Sequence, residues 1–219
     1  MNDNRKQQEF FKKAYDLGSQ RVPSGYGWPM EIDPQQLKFL NIVKQSTSSG
    51  NALDIGCGQG RHTFMLAENG FDAYGIDFLE RPVVEAQDKA KNEKLQNIHF
   101  KVMDVLDLDF PDNFFEVILD WSVVDHIYPK DWAKYFENIN RVLKKDGFLI
   151  LTEFSVRDKK ITDPSKNYSD GANYDHFFRE DEIENLFKEK FNILKVKHNE
   201  LNTTSHFAMI NVLLQKVRS

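Results

Sequence analysis

Ala52-Leu-Asp-Ile-Gly-Cys-Gly-Gln-Gly-Arg-His-Thr63 is the stretch on which the fold turns. A short apolar run, Ala52–Ile55, ends in three glycines, and Arg61–Asn69 then carries a helical pattern closed by Gly70. Strand, glycine turn and helix therefore follow in immediate succession. Gly56, Gly58 and Gly60 let the backbone turn sharply and approach a ligand without Cβ clashes. Their spacing is G-x-G-x-G and not the G-x-G-x-x-G of dinucleotide binders. That counts against a nicotinamide dehydrogenase. Taken alone, such a turn is also compatible with an ordinary strand–helix connection.

Outward from this turn, strands and helices alternate. Strands are expected at Ala73–Ile76, Ile98–Met103, Glu116–Trp121 and Phe148–Phe154. Helices are expected at Arg81–Lys94, Asp131–Leu143 (closed near Gly147) and Arg179–Lys190. The nearly continuous apolar run at Glu116–Trp121 reads as a central strand buried on both faces. Upstream, Asp33-Pro34 is an N-cap followed by Pro at the first helical position, opening a helix to about Ser46. Arg5–Leu17 has helical composition, and the irregular Arg21–Pro29 follows it. Two β-rich runs end the chain, Ile193–Lys197 and Phe207–Lys216. The nine residues between them are too few for a parallel crossover, so the last strand is expected to run antiparallel. The reading is α/β: a single doubly wound, mostly parallel seven-stranded sheet with an antiparallel last strand. Residues 1–32 are expected to form an N-terminal helix and lid segment, and 33–219 the sheet domain.

Carboxylates recur at the carboxyl ends of successive strands: Asp54, Asp77, Asp104 and Asp120. In an open α/β sheet that edge is where ligands bind. Asp77 is placed to accept both hydroxyls of a ribose. Asp104 is placed to accept from an exocyclic amine of adenine, with Phe78, Met103 and Val105 sandwiching the base. Asp54 is suited to orienting an ammonium group. Any one of these acids is equally suited to capping the next helix, but four at matching positions argue for a site.

These residues resemble the motifs of a known family. Leu53-Asp-Ile-Gly-Cys-Gly-Gln-Gly60 is similar to motif I of class I S-adenosylmethionine-dependent methyltransferases. Gly75-Ile-Asp77, Val102-Met-Asp-Val105, Phe115-Glu-Val-Ile-Leu-Asp120 and Leu143-Lys-Lys-Asp-Gly-Phe-Leu-Ile-Leu151 resemble the later motifs, in order. The resemblance runs from roughly Asp33 to Lys216. Within the family the chain looks closest to small-molecule enzymes of the tellurite-resistance and thiopurine type. The resemblance implies S-adenosylmethionine as methyl donor, S-adenosylhomocysteine as product and a small-molecule acceptor. It places the donor on Asp54, Gly56, Cys57, Gly58, Asp77, Phe78, Met103, Asp104, Val105 and Asp120. A protein or other macromolecule acceptor, or a non-catalytic regulatory module, remains the alternative.

Methyl transfer from a sulfonium is an in-line displacement, so the protein mainly aligns the reactants. No catalytic residue is identified, and Asp120 and His126 are the candidates. Asp120 is expected to face the methyl or the methionine ammonium. His126 is either a proton acceptor or a structural histidine bonded to a loop carbonyl. Trp121 either walls the pocket or belongs to the core. Tyr15, Tyr26 and Trp28 are the lid candidates, and Tyr174 lies in the Asp158–Phe178 insertion expected to shape the acceptor pocket.

The net charge is −5, which disfavours a nucleic-acid surface and so a nucleic-acid partner. No apolar run approaches the roughly 20 residues of a membrane span, and the polar N-terminus lacks a signal-peptide core. Cys57 is the one cysteine, so no internal disulfide forms and a cytoplasmic setting is expected. The six histidines show no ligand spacing, and no metal is expected.

Overall fold

The computed structural model describes residues 3–16, 32–157, 168–170, 174–199 and 208–217. Helix α1 spans Asp3–Asp16 and α2 Pro34–Val43. The alternating body follows: β1 Asn51–Ile55, α3 Arg61–Glu68, β2 Asp72–Asp77, α4 Glu80–Asn92, β3 Ile98–Val102 and β4 Phe115–Trp121. Two 3₁₀ turns, Val124–His126 and Pro129–Asp131, lead into α5 Trp132–Val142. Then come β5 Leu143–Phe154, β6 Tyr168–Asp170, β7 Tyr174–His176, α6 Glu180–Phe187, β8 Phe191–Asn199 and β9 Met209–Lys216.

Seven strands form one sheet in the order β3-β2-β1-β4-β5-β9-β8. Every pairing from β3 to β5 is parallel, and β9 is antiparallel to both β5 and β8. This is the sheet expected from the sequence. The chain order reverses between β1 and β4, which opens a crevice beyond their carboxyl ends.

Period-two alternation gives the sheet two cores. Leu53, Ile55, Ile118, Leu149 and Val212 face one side and pack with Tyr135 and Ile139 of α5 and Phe187 of α6. Ala52, Val117, Leu119, Ile150 and Leu213 face the other and pack with Phe39 and Val43 of α2 and Phe64 and Leu66 of α3. Burial on both faces explains why β4 reads as a nearly continuous apolar run. Asp33 starts α2 as expected, accepting from the Gln35 N–H at 2.7 Å, with Pro34 in the first turn.

Three local readings are corrected. Strand β5 begins at Leu143 and not at Phe148, so Leu143–Gly147 is no helix-closing turn. Leu143 pairs with Phe115, and the ladder then slips before Val117 pairs with Phe148, with Asp146 at φ 62° absorbing the bend. Helix α6 stops at Phe187, three residues before the expected end. The insertion after β5, read as a loop, contains the β6–β7 hairpin, which pairs Tyr168 with His176 and Asp170 with Tyr174. No described helix is long and apolar enough to cross a membrane.

Candidate active site

The glycine turn leaves β1 at the reversal point. Gly56 has φ 64° and Gly58 φ 52°, a region that side-chain-bearing residues rarely adopt. A Cβ on Gly56 would lie 2.3 Å from Val123 Cγ2, and one on Gly58 would lie 2.5 Å from the Tyr15 hydroxyl. Both glycines are therefore required by conformation, and Gly56 by space as well. The Cys57 N–H donates to the Ile76 carbonyl at 2.8 Å, and the Gly58 N–H donates to Asp77 Oδ2 at 3.0 Å. These bonds fix the turn against the end of β2.

A cavity opens over this turn. Gly56, Cys57, Gly58, Asp77, Phe78, Met103, Asp104 and Val105 line it, with Tyr15, Trp121 and His126 further along. Asp77 is 7% exposed. Its Oδ1 accepts from the Leu79 N–H at 2.9 Å, and each oxygen keeps a lone pair for a ligand. Burial raises its pKa to about 6, against the pull of those N–H donors. Asp104 Oδ1 accepts from the Leu106 N–H at 2.9 Å, an Asx turn that sets the entry to the loop after β3. Phe78 is partly exposed at the mouth, and Met103 is buried.

Two of the four strand-end carboxylates point elsewhere. Asp54 is buried and accepts from the Thr63 hydroxyl at 2.6 Å, behind the turn and outside the cavity lining. Burial raises it to about 7. Asp120 is fully buried; it accepts from the Val123 and Val124 N–H groups at 2.9 and 3.3 Å and from the Tyr135 hydroxyl at 2.6 Å. The sequence reading directs it toward the methyl or the methionine ammonium; here its side chain lies outside the cavity lining. Its oxygens are taken up by the first N–H groups of the 3₁₀ turn, which otherwise lack partners. Here the capping alternative describes the side chain.

At the far end the cavity is walled by Trp121, Ser122, Val123, His126 and Ile127. His126 Nδ1 lies 3.0 Å from Asp175 Oδ1 and 3.3 Å from the Tyr174 carbonyl, and Nε2 lies 3.6 Å from Asp125 Oδ1. Burial lowers its pKa, but Asp125 and Asp175 outweigh this and hold it up to about 9. The ring is thus an imidazolium at neutral pH and a poor proton acceptor. The carbonyl it contacts belongs to strand β7 and not to a loop.

Helix α1 roofs this end. Gln7, Phe11 and Tyr15 recur every four residues, so one face of the helix buries all three. Phe11 packs edge-to-face, with its ring centre 4.8 Å from that of His126 and 6.1 Å from that of Phe78. The Gln7 amide donates to the Tyr174 carbonyl and accepts from the Tyr174 N–H, both at 2.9 Å, as a neighbouring strand would. Tyr174 therefore anchors α1 by its backbone, while its ring stacks on Tyr128 at 4.5 Å and is not part of the lining. Tyr26 and Trp28 lie outside the described residues. The sequence reading missed Gln7, Phe11, Arg61, His62 and Asp175. The four-residue period of α1 carried the signal for the first two. Among the described residues, no group of three or more His, Cys, Asp or Glu is arranged to hold a metal.

A sequence-family profile described as a methyltransferase domain matches residues 46–205. The chain is similar to the 2-heptyl-1-hydroxyquinolin-4(1H)-one methyltransferase of Mycobacteroides abscessus, 32% identical over 127 residues, 58% of this chain and 56% of that protein. It is also similar to the 2-methyl-6-phytyl-1,4-hydroquinone methyltransferase of a Synechocystis strain, 32% identical over 109 residues, 49% of this chain and 33% of that protein. The chain thus spans about half the length, or less, of these curated relatives. Among solved structures it is similar to the Burkholderia thailandensis 1,6-didemethyltoxoflavin-N1-methyltransferase with bound 1,6-didemethyltoxoflavin and S-adenosylhomocysteine. That likeness has a TM-score of 0.77 at 19% identity and covers 98% of this chain and 89% of that one. A SAM-dependent methyltransferase of Methanosarcina mazei gives 0.68 at 24% identity, covering 86% and 100%. The two structural likenesses are likenesses of fold.

Proposed function

We propose, from the premise that this chain belongs to the class I S-adenosylmethionine-dependent methyltransferases, that it transfers a methyl group to a small-molecule acceptor. S-adenosylhomocysteine is the product. The observation that carries this reading is one cavity running from Asp77 and Asp104 across the glycine turn to Trp121 and His126, under the roof of α1. A roofed cavity of this kind suits a small acceptor better than a polymer. The first two relatives act, by name, on a quinolone and a hydroquinone, so cyclic acceptors are the first to test.

The residues present fit the donor. The left-handed glycine turn lets the backbone approach it closely, and Asp77 offers two lone pairs to a ribose. Met103, Val105 and Phe78 enclose the base beside Asp104. Asp54 stabilises the ligand's ammonium from behind the turn. When bound, the donor supplies a methyl group already activated on a sulfonium. The chain then aligns the acceptor between Phe11, Trp121 and His126 and excludes water. His126, already protonated, supplies no base, so the acceptor enters with its lone pair available.

The segment 1–32 acts as a lid over the sheet domain 33–219, with Tyr15 in the cavity lining. A lone buried thiol at Cys57 suits a reducing, cytoplasmic compartment. Calorimetry with S-adenosylmethionine, S-adenosylhomocysteine and NAD is the primary test, followed by an acceptor screen read as released S-adenosylhomocysteine. Binding of the two adenosyl ligands with turnover of a cyclic acceptor is expected. NAD binding without adenosylhomocysteine binding would falsify the reading.

A further inference from the structure

Trp121, Ser122, Val123, His126 and Ile127 wall the far end of the cavity. Three buried acids meet behind that wall. Asp120 lies in β4 next to its last residue, Glu153 lies in β5 next to its last residue, and Asp125 sits in the 3₁₀ turn after β4. None of the three is more than 1% exposed. Asp120 pairs with Leu151, so period-two alternation puts Glu153 on the same face of the sheet, one step further along.

The three are unequally supplied with donors, each of which favours the ionised form. Asp120 accepts from the Val123 and Val124 N–H groups and from the Tyr135 hydroxyl. Asp125 accepts from the Ser122 hydroxyl at 2.8 Å and the Phe154 N–H at 3.1 Å, and it faces the His126 imidazolium. Among the described residues, Glu153 has only the Asp125 N–H, at 3.2 Å on Oε2. Its Oε1 is buried and no donor reaches it. Yet the Glu153 and Asp120 carboxyl groups bond to each other, and two carboxyl groups share such a bond only through a proton. Three adjacent buried acids cannot all be ionised, and the proton goes to the one least stabilised as an anion. That one is Glu153. Burial and the charges of Asp120 and Asp125 push its pKa well above the carboxylate range. A proton on Oε1 resolves the orphaned atom, because Oε1 then donates to Asp120 while Oε2 accepts from Asp125.

We propose that Glu153 is a positioning residue for methyl transfer: as a neutral acid it ties the turn to β5 through both Asp120 and Asp125, and so fixes the wall Trp121–Ile127 against the glycine turn. The fit there is close, since a Cβ on Gly56 would lie 2.3 Å from Val123 Cγ2. A shift of the wall is therefore felt at the donor as well as at the acceptor. Ser122 gives a reason for a firm hold. Its backbone sits at φ 58°, a strained conformation for a residue with a side chain, and its hydroxyl is tethered to Asp125. The groups around Glu153 leave no place for a second anion. Asp120 faces it from β4 and Asp125 from the turn, while Tyr135 of α5 stays a phenol beside Asp120, and His126 is matched by Asp125 and Asp175. Only the role in methyl transfer rests on the methyltransferase reading; the proton on Glu153 does not.

The test compares the full chain with its Glu153→Gln, Glu153→Leu and Glu153→Asp variants at neutral pH. Glutamine reproduces a neutral acid, with one group accepting and one donating. Leucine does neither, and aspartate is one methylene too short to reach both partners. Infrared spectra of wild type minus Glu153→Gln are expected to show the C=O stretch of a protonated carboxyl, shifted in heavy water. Hydrogen exchange across Trp121–Ile127 and S-adenosylhomocysteine affinity by calorimetry are then compared. Glu153→Gln is expected to rescue both. Glu153→Leu is expected to speed exchange in that turn about tenfold, with the rest of the sheet still protected, and to weaken S-adenosylhomocysteine about tenfold. Should Glu153→Leu fail to fold, Glu153→Asp takes its place with the same expected direction. Absence of the protonated band overturns the proposal, as does a Glu153→Gln protein as damaged as Glu153→Leu. Exchange and affinity unmoved in Glu153→Leu overturn it too. Failure of the methyl-donor reading shows separately, as wild type that does not bind S-adenosylhomocysteine, and infrared and exchange then decide on Glu153 alone.

Discussion

Asp77 and His126 are two ionisable groups in one cavity with opposite assignments, and pH separates them. Asp77 must be ionised to accept from a ribose, and its pKa stands near 6. S-adenosylhomocysteine affinity is therefore expected to weaken as pH falls below about 6, measured by titration calorimetry between pH 5 and 8. Asp77→Ala should cost roughly 1–3 kcal/mol of that affinity at pH 8, and an unchanged value refutes the ribose role. His126 has the reverse signature. A histidine acting as base would gain activity as it loses its proton near pH 9, whereas an imidazolium clamp loses order there. Turnover is expected to fall through that range, and a rise toward pH 9 counts for the base. The sequence disclosed Asp77 because strand-end spacing alone places it. It misjudged Asp120 because the spacing is the same and only a three-dimensional fact, the N–H groups of Val123 and Val124, tells the two apart. Arg61 and His62 were in plain view next to the glycines, but their chemistry depends on Trp121, far off in the chain and close in space.

Helix α1 is joined to the rest by a side chain that imitates a strand. Gln7→Ala leaves the Tyr174 N–H and carbonyl without their partner, a loss of about 1–3 kcal/mol if water does not replace it. Faster hydrogen exchange across Asp3–Asp16 and weaker adenosylhomocysteine binding are expected, with the rest of the sheet still protected. Unchanged exchange in α1 would show that the helix is held by Phe11 and Tyr15 alone. Removing residues 1–30 should lower donor affinity and turnover in a folded product, and no change in either would sink the lid. Helix α1 was legible to within two residues at its start and one at its end, because helical composition is a local property. It gave no hint of the β6–β7 hairpin, whose three-residue strands have no period to read, and which meets α1 through Tyr174. The start of β5 was hidden for a related reason. Lys144, Lys145, Asp146 and Gly147 have turn chemistry, and only pairing of Leu143 with Phe115 makes the segment a strand.

Burial and neighbouring charge move the titration of several groups across the molecule. Asp54, Asp77 and His126 all have pKa values above their ordinary ones, at about 7, 6 and 9. Each favours the folded state while protonated. The two carboxylates contribute fully below about 4 and lose that contribution as pH rises through about 6 and 7; the histidine contributes fully below about 6.5 and loses it through about 9. Unfolding free energy from urea titrations is therefore expected to fall between about pH 4 and 9, and Asp54→Asn should flatten its lower part. A rise across that interval contradicts the assignment. The sheet architecture was the most legible feature of all, since burial on both faces writes itself into β4 and the short final connector excludes a parallel return. One consequence of that architecture concerns time. Strand β9 lies between β5 and β8 and is the last strand in chain order. Strand β8 is made first, yet has no neighbour to join until Met209–Lys216 emerges and slips between it and β5. The flank of the sheet beyond β5 therefore closes in one late event, and a chain cut before Met209 would carry two unpaired strand edges and a tendency to aggregate.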